Sequence, residues 1–329
     1  MTRRTASIPV DLKNPGQVLA CVGFLEAAEV LLGSVEAHFD WSGTTVKFAL
    51  AADSDGNPFE VVLDFLATAK NVELTPIGYV EGGAADGEDE GDDDAVIAES
   101  ENENGEESDD THEHASDTPG RRTTRAFPSG DGQRNALPIQ LVNSVHALTV
   151  SHWADGSSRE DFKLYSGNRS AHRIATQMIH GSRAKPKKGQ SIGDLKTRGV
   201  AQLWQEQRDA LIKAPFDMVT PMGGSFNFDP RGAWTAIDAG YSPNTQKDGI
   251  AASPVVEMLA AIGLEHARPD EYETRKVRYA VWGHPLPPML ARAALSGGDL
   301  KVPVRRFEFE LILSGKNKVT RFAQEETQQ

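Results

Sequence analysis

The first third of the chain has hydrophobic patterns bounded by clear helix-start and helix-stop residues. Apolar residues recur at helical spacing at positions 18, 19, 22, 25, 28, 31 and 32. Asn14 and Pro15 precede this pattern and Gly33 follows it, as is typical of a capped helix. The sequence therefore predicts an amphipathic helix with one buried stripe that packs on a sheet.

Period-two alternation follows this first helix. The segments EAHFDW and TVKFAL predict a β-hairpin around Ser42 and Gly43, and VELTPI predicts a further strand. Asn57 and Pro58 repeat the helix-start signal between them. Residues 1–80 are therefore predicted to form an N-terminal α+β module.

The chain from residue 136 onward carries the same two kinds of pattern. Helices are predicted in GNRSAHRIATQMIHG, in DLKTRGVAQLWQEQRDALIKA, in SPVVEMLAAIGLEHA after its cap Ser253, and after Pro287 and Pro288. Strands are predicted in LPIQLVNSVHALTVSHW, TRKVRYAVWG, VRRFEFELILSG and KNKVTRFAQEE. Regular β-α-β alternation and internal repeats are absent. The prediction is an α+β fold of mixed helices and mostly antiparallel strands, in which residues 136–329 form a C-terminal module packed with the N-terminal module.

A strongly acidic segment separates the two modules. Residues 81–118 hold 17 Asp or Glu and no Lys or Arg, and they have few apolar residues. Residues 81–135 are therefore predicted to be a disordered insert, because they cannot bury enough surface to offset the entropy of ordering. Two roles stay open for it: a solvated spacer, or a mimic of nucleic acid that competes for a basic surface.

The charge of the body differs from that of the whole chain. The formal net charge is -14, but the residues outside 81–118 hold 31 acidic residues against all 34 basic ones. A mildly basic body is compatible with a nucleic-acid partner. The single cysteine Cys21, the lack of a signal peptide and the lack of a long apolar stretch predict a soluble, cytoplasmic protein without a membrane partner.

Common catalytic signatures are missing from the sequence. It has no phosphate-binding loop, dinucleotide fingerprint, H-E-x-x-H or paired C-x-x-C, and Asn227 breaks the nucleophile-elbow pattern that GGSFN begins. Asp155, Asp229 and Asp238 with His152 offer a possible Mg²⁺ site for a nuclease, although each Asp also suits a turn. No catalytic residue, metal ion or cofactor is predicted.

Three stretches combine basic or amide side chains with glycine, a composition that suits nucleic acid. They contribute Arg159, Lys163, Asn168, Arg169 and Arg173; Gly223, Gly224, Ser225, Asn227 and Arg231; and Lys316, Asn317 and Lys318. The aromatic residues Phe226, Phe228 and Trp234 are predicted to anchor the second stretch in the core. For Arg231, pairing with a neighbouring carboxylate is an equal alternative.

Several long segments together carry a resemblance to a known family. IPVDLKNPGQVLACVGFLEAAEVLLG, SHWADGSSREDFKLYSGNRSA, TPMGGSFNFDPRGAWTAIDAGYSPN, ASPVVEMLAAIGLEHARPDE, RYAVWGHPLPP and LSGKNKVTRFAQEE resemble the large-subunit family of type I-U (I-G) CRISPR Cascade effector complexes. The resemblance covers nearly the whole chain except the acidic insert. It implies a non-catalytic subunit that senses the PAM, helps unwind target DNA and recruits a helicase-nuclease.

The resemblance also implies partners and site roles. The partners are CRISPR RNA, double-stranded target DNA, the Cascade backbone and guide-end-capping subunits, and the helicase-nuclease. Gly223, Gly224, Ser225 and Asn227 are expected at the PAM-proximal duplex with Lys316, Asn317 and Lys318 as a second finger, whereas Arg159, Lys163, Asn168 and Arg169 are expected to follow phosphates. A stand-alone metal-dependent nuclease, a protein-only scaffold and an added small-subunit role are the alternatives.

Overall fold

The computed structural model describes most of both predicted modules. The described residues are 2–76, 95–96, 121–124, 137–153, 162–165, 170–184, 186, 192–232, 251–314 and 317–326. Within them lie the helices α1 (Pro15–Leu32), α2 (Pro58–Thr68), α3 (Ala171–His180), α4 (Val200–Lys213), α5 (Pro254–His266) and α6 (Pro288–Leu295). Short 3-10 turns occupy Pro215–Asp217 and Pro230–Gly232.

The strands run from the N-terminus to near the end of the chain. They are β1 (Arg3–Pro9), β2 (Val35–Asp40), β3 (Lys47–Asp53), β4 (Lys70–Pro76), β5 (Ala95–Val96), β6 (Arg121–Thr124), β7 (Ile139–Val142), β8 (Ala147–Val150), β9 (Ser182–Arg183), β10 (Leu195–Thr197), β11 (Thr220–Pro221), β12 (Ala251–Ala252), β13 (Asp270–Glu273), β14 (Lys276–Trp282), β15 (Val304–Ser314), β16 (Asn317–Thr320) and β17 (Gln324–Glu325).

These strands form several small sheets. The orders are β1-β3-β2, β6-β4-β7-β8, β10-β9-β5, β11-β12 and β13-β14-β15-β16, and β17 also pairs with β15. Every described pairing is antiparallel except that of β4 with β6. The predicted α+β class with mostly antiparallel strands is confirmed.

The helix starts predicted at Asn14, Asn57 and Ser253 are confirmed. The side chains of Asn14, Asn57 and Ser253 each accept a hydrogen bond from a backbone N–H in the first turn of α1, α2 and α5, respectively. A proline follows each cap at the first helical position, where its missing N–H costs no hydrogen bond. The predicted hairpin is also present, as β2 pairs with β3.

Helix α1 differs from its prediction because it is buried on all sides rather than along one stripe. Residues from Pro15 to Ala28 are all buried. The helix packs most extensively against α5, and two glycines allow this close approach: a Cβ on Gly23 would lie 1.9 Å from the carbonyl oxygen of Leu259, and one on Gly263 would lie 2.3 Å from that of Leu19. Because the two backbones approach so closely, α5 covers the side of α1 that a single amphipathic stripe would leave exposed.

The composition and length of α1 also match those of a membrane-spanning helix, although the sequence has no long uninterrupted apolar run. Most of the 18-residue window is nevertheless buried inside the protein, as in the central helix of a soluble fold. The hydrophobic core around α1 includes residues from both sides of the acidic segment, among them Phe24, Phe59, Phe216 and Trp282.

The predicted disordered insert lies mostly outside the described residues. Within residues 81–135, the structure describes only β5 and β6. Strand β6 pairs in parallel with β4, and β5 pairs with β9. Six residues of the predicted insert are therefore held by sheet hydrogen bonds, which composition does not reveal.

Candidate nucleic-acid interface

The three polar stretches singled out in the sequence meet at strand β16. The backbone N–H of Lys318 donates to the carbonyl oxygen of Leu164 over 2.8 Å. Two residues later, the hydroxyl of Thr320 donates to the carbonyl oxygen of Phe228 over 2.7 Å. The backbone N–H of Thr320 donates to the carbonyl oxygen of Asn227 over 3.4 Å. Strand β16 therefore lies between the 162–165 segment and residues 222–232, called here the Asn227 loop.

An aromatic cluster supports this junction from the inside. Phe226 is fully buried and stacks on Trp153, with ring centroids 5.4 Å apart and planes 19° apart. Tyr165 meets the Phe226 ring edge-on at 5.7 Å, and Phe228 lies 6.0 Å from it. The prediction that Phe226 and Phe228 belong to the core is confirmed, whereas Trp234 lies outside the described residues.

The polar members of the Asn227 loop lie on its outer side. Gly223 is exposed, and Gly224, Ser225 and Asn227 are partly exposed. Asn227 has φ of 69°, in the left-handed region that Asn tolerates better than most residues. The Ser225 hydroxyl donates to Asn227 Oδ1 over 3.0 Å and accepts from the Asn227 N–H at 3.3 Å. These bonds fix the Asn227 side chain and direct its amide group.

Two lysines flank the junction without an acidic partner among the described residues. Lys163 and Lys318 are partly exposed, and neither forms an ion pair there. The Lys163 ammonium lies 5.3 Å from the centroid of the Tyr165 ring, a cation–π contact that leaves its charge available. The segments that carry the two lysines are joined by the backbone hydrogen bond from Lys318 to Leu164, the residue after Lys163.

Several arginines of the body are paired with carboxylates. Arg3 pairs with Glu36, Arg208 with Glu60, Arg292 with Glu26 and Arg305 with Glu325. The mild positive charge of the body is therefore largely neutralised at these places. Lys163 and Lys318 differ from these four arginines in that they have no acidic partner among the described residues.

The remaining candidate residues are placed as follows. Asn317 begins β16 next to Lys318, and Arg173 is exposed in the first turn of α3. Arg159, Asn168, Arg169 and Lys316 lie outside the described residues. Of the thirteen predicted contacts, the structure thus brings together Lys163, Asn317, Lys318 and the outer side of the Asn227 loop.

Arg231 has a structural partner. Its Nη2 lies 2.6 Å from Oδ2 of Asp229, and its Nε lies 2.9 Å from Oδ1. Asp229 is buried and also accepts hydrogen bonds from the side chain of Asn14 and from the N–H of Ser253, the caps of α1 and α5. The carboxylate therefore joins two helix N-termini, where negative charge is favoured, and Arg231 neutralises it. The alternative that Arg231 pairs with a neighbouring carboxylate is confirmed.

A second buried acid lies beneath the loop. Glu257, in the first turns of α5, accepts the N–H of Asp229 at Oε1 over 2.8 Å and that of Phe228 at Oε2 over 3.4 Å. Its complete burial, together with the nearby negative charge of Asp229, raises its pKa to about 8, although the backbone hydrogen bonds act in the opposite direction. The group is thus mostly protonated near neutral pH.

The alternative of a metal-dependent nuclease has little support among the described residues, because its proposed ligands have other contacts or lie outside. Asp229 is committed to Arg231 and the helix caps, His152 packs edge-on against Trp153 with ring centroids 4.5 Å apart, and Asp155 and Asp238 lie outside. No group of three or more His, Cys, Asp or Glu that could hold a metal ion occurs in the described part of the chain. The Ser225 hydroxyl donates to an amide oxygen rather than to a general base.

Sequence reasoning missed two residues that hold the site together. Thr320 is a buried hydroxyl in a short strand, and nothing in its local sequence marks its bond to Phe228, 92 positions away. Glu257 could have been noticed, because it is a lone carboxylate within the apolar helix PVVEMLAAIGL. Charge in such a helix indicates a specific partner.

No protein-family model matches the chain, and no solved structure matches it significantly.

Proposed function

We propose that the chain is a non-catalytic, nucleic-acid-binding subunit of a CRISPR RNA-guided antiviral surveillance complex in the cytoplasm. In this role it senses the PAM of double-stranded target DNA, helps to unwind the target and recruits the helicase-nuclease. Its other partners are the CRISPR RNA and the Cascade backbone and guide-end-capping subunits. The resemblance described from the sequence motivates this assignment, and the geometry of the junction supports its nucleic-acid part.

The observation that carries the proposal is the convergence at β16. Residues 163, 227 and 318 are distant in sequence, yet β16 holds their segments together through backbone hydrogen bonds. Two lysines that have no acidic partner in the described part of the chain suit phosphate groups, and the amide of Asn227 suits a base edge. The aromatic cluster makes the platform rigid, which a reading surface needs.

The lysines and Asn227 have different roles in this surface. Lys163 and Lys318 contact the sugar-phosphate backbone and set affinity, because a point charge carries no sequence information. Asn227 contributes discrimination, because its orientation is fixed by Ser225 and by its left-handed backbone. Arg231 belongs to the support of the loop.

The proposal is tested in the assembled complex with matched DNA targets that carry or lack the PAM. Asn227→Gly removes the amide while keeping a residue that adopts positive φ, and Lys318→Ala removes one charge. Asn227→Gly is expected to reduce the ratio of affinities for the two targets, and Lys318→Ala to weaken both targets equally. Unchanged affinities in both variants would refute the assigned roles.

A further inference from the structure

Two buried carboxyl groups, one paired with a cation and one not, contact the Asn227 loop on its inner side. Asp229 accepts hydrogen bonds from Arg231, Ser253 and Asn14 and is fully compensated. Glu257 accepts backbone N–H groups of the loop itself, from Phe226, Phe228 and Asp229, and has no cationic partner among the described residues. The loop therefore lies directly on a buried acid whose charge, if it ionised, would have no cation beside it in the described part of the chain.

The surroundings of Glu257 explain why its charged form is unfavourable. The charged groups that face it come from the loop, Asp229 and beyond it Arg231. The neighbouring elements bring neutral groups to the same loop: Thr320 of β16 donates to Phe228, Asn14 before α1 donates to Asp229, and the ring of His152 lies 6.0 Å from that of Phe228. Ionisation would place a second negative charge beside Asp229 in a fully buried site.

We propose that Glu257 is a positioning residue for the Asn227 loop, and that its proton links the placement of the loop to pH. With the proton bound, the loop rests on a neutral carboxyl group. When the proton leaves, the charge is relieved by hydration, which requires the loop to lift from α5. The direction follows from linkage: the conformation that binds the proton more tightly is favoured at lower pH. The pKa of Glu257, about 8 with the loop in place against an ordinary value of 4.5, means that the closed conformation binds the proton more tightly.

The consequence for ligand binding rests on the proposed function, since it assumes that the outer side of this loop meets nucleic acid. A lifted loop would move Asn227 away from Thr320 and so from Lys318. Affinity and discrimination would then fall as pH rises toward 8. The linkage itself does not depend on the ligand and can be measured in the free chain.

The test is amide hydrogen exchange in the full-length chain without nucleic acid, corrected for intrinsic exchange. The opening constants of the amides of Phe228 and Asp229 are expected to rise about tenfold per pH unit between pH 6 and 8 and to level off above pH 8. The Glu257→Gln variant, which mimics the protonated form, should show no such rise. The amide of Ala20 inside α1 reports global opening, which releases the same proton, so its opening constant should rise in parallel but stay below those of Phe228 and Asp229 at every pH.

Opening constants that are independent of pH in the wild-type chain would overturn the proposal, as would opening constants of Phe228 and Asp229 equal to that of Ala20, because the loop would then open only by global unfolding. If Glu257→Gln does not fold, ¹³C NMR of the carboxyl groups in the wild-type chain decides. One Glu carboxyl should then titrate near pH 8 together with the amides of Phe228 and Asp229, and absence of any carboxyl titrating above pH 6.5 would contradict the linkage. If the wild-type chain shows the pH-linked opening but does not bind nucleic acid in a separate assay, the proposed function is contradicted and the linkage is not.

Discussion

The hydroxyl of Thr320 donates to the carbonyl oxygen of Phe228 over 2.7 Å and so joins the strand that carries Lys318 to the loop that carries Asn227. Two positions earlier, the same strand donates from Lys318 to Leu164. One short strand thus organises three segments that are far apart in sequence. The candidate surface exists only because of these long-range bonds.

The contact between α1 and α5 is expected to tolerate no side chain at Gly23. Its Cβ would lie 1.9 Å from a backbone oxygen of Leu259, which cannot move without shifting α5. Gly23→Ala should lower the free energy of unfolding by about 3 kcal/mol, measured by chemical denaturation. Gly56→Ala is the matched control, because no atom lies within 4 Å of its Cβ position. Equal stability of the two variants would contradict the packing described for α1.

Arg231 is expected to stabilise the fold without contributing to nucleic-acid binding. Arg231→Ala leaves the buried carboxylate of Asp229 without its cation, so the free energy of unfolding should fall by about 2 kcal/mol. Arg198→Ala breaks an exposed pair with Glu206 and should cost less than about 1 kcal/mol. The salt dependence of DNA affinity should be the same for the Arg231 variant and the wild type. A clearly shallower dependence would instead assign Arg231 to a phosphate contact.

Stability is expected to depend on pH through Glu257. Its pKa is about 8 in the folded protein against an ordinary value of 4.5, so the folded state holds a proton that the unfolded state has released between these values. The contribution of this group to stability therefore falls as pH rises from about 4.5 to about 8. Relative to the wild type, Glu257→Gln should gain stability over this range, as followed by urea denaturation at several pH values. A constant difference between the two proteins would show that Glu257 does not titrate there.

The sequence predicts those parts of the fold that depend on neighbouring residues. The caps Asn14, Asn57 and Ser253 act within one helical turn, and the hairpin of β2 and β3 depends on alternation and a short turn. The burial of α1 was predicted incompletely, because a second helix covers the face that a single amphipathic stripe leaves open.

The candidate site was predictable in composition but not in geometry. Glycine, amide and basic residues marked the three stretches, whereas their meeting at β16 depends on Thr320 and Lys318. Asp229 looked like a turn residue in the sequence, yet one of its partners, Asn14, lies 215 positions away. Local pattern cannot show such a contact, so the structural role of Arg231 could be stated only as an alternative.

We propose that Lys163 and Lys318 together form a phosphate-binding surface. The most direct test measures the affinity of the chain for duplex DNA against salt concentration, for the wild type, for Lys163→Ala combined with Lys318→Ala, and for Lys301→Ala. Lys301 is 85% exposed and pairs with Asp299, so it controls for loss of a surface charge. The double variant should bind more weakly, and its slope of log affinity against log salt should be smaller by about 1.8, since each phosphate contact contributes about 0.9. A slope equal to that of the wild type and of Lys301→Ala would contradict the claim.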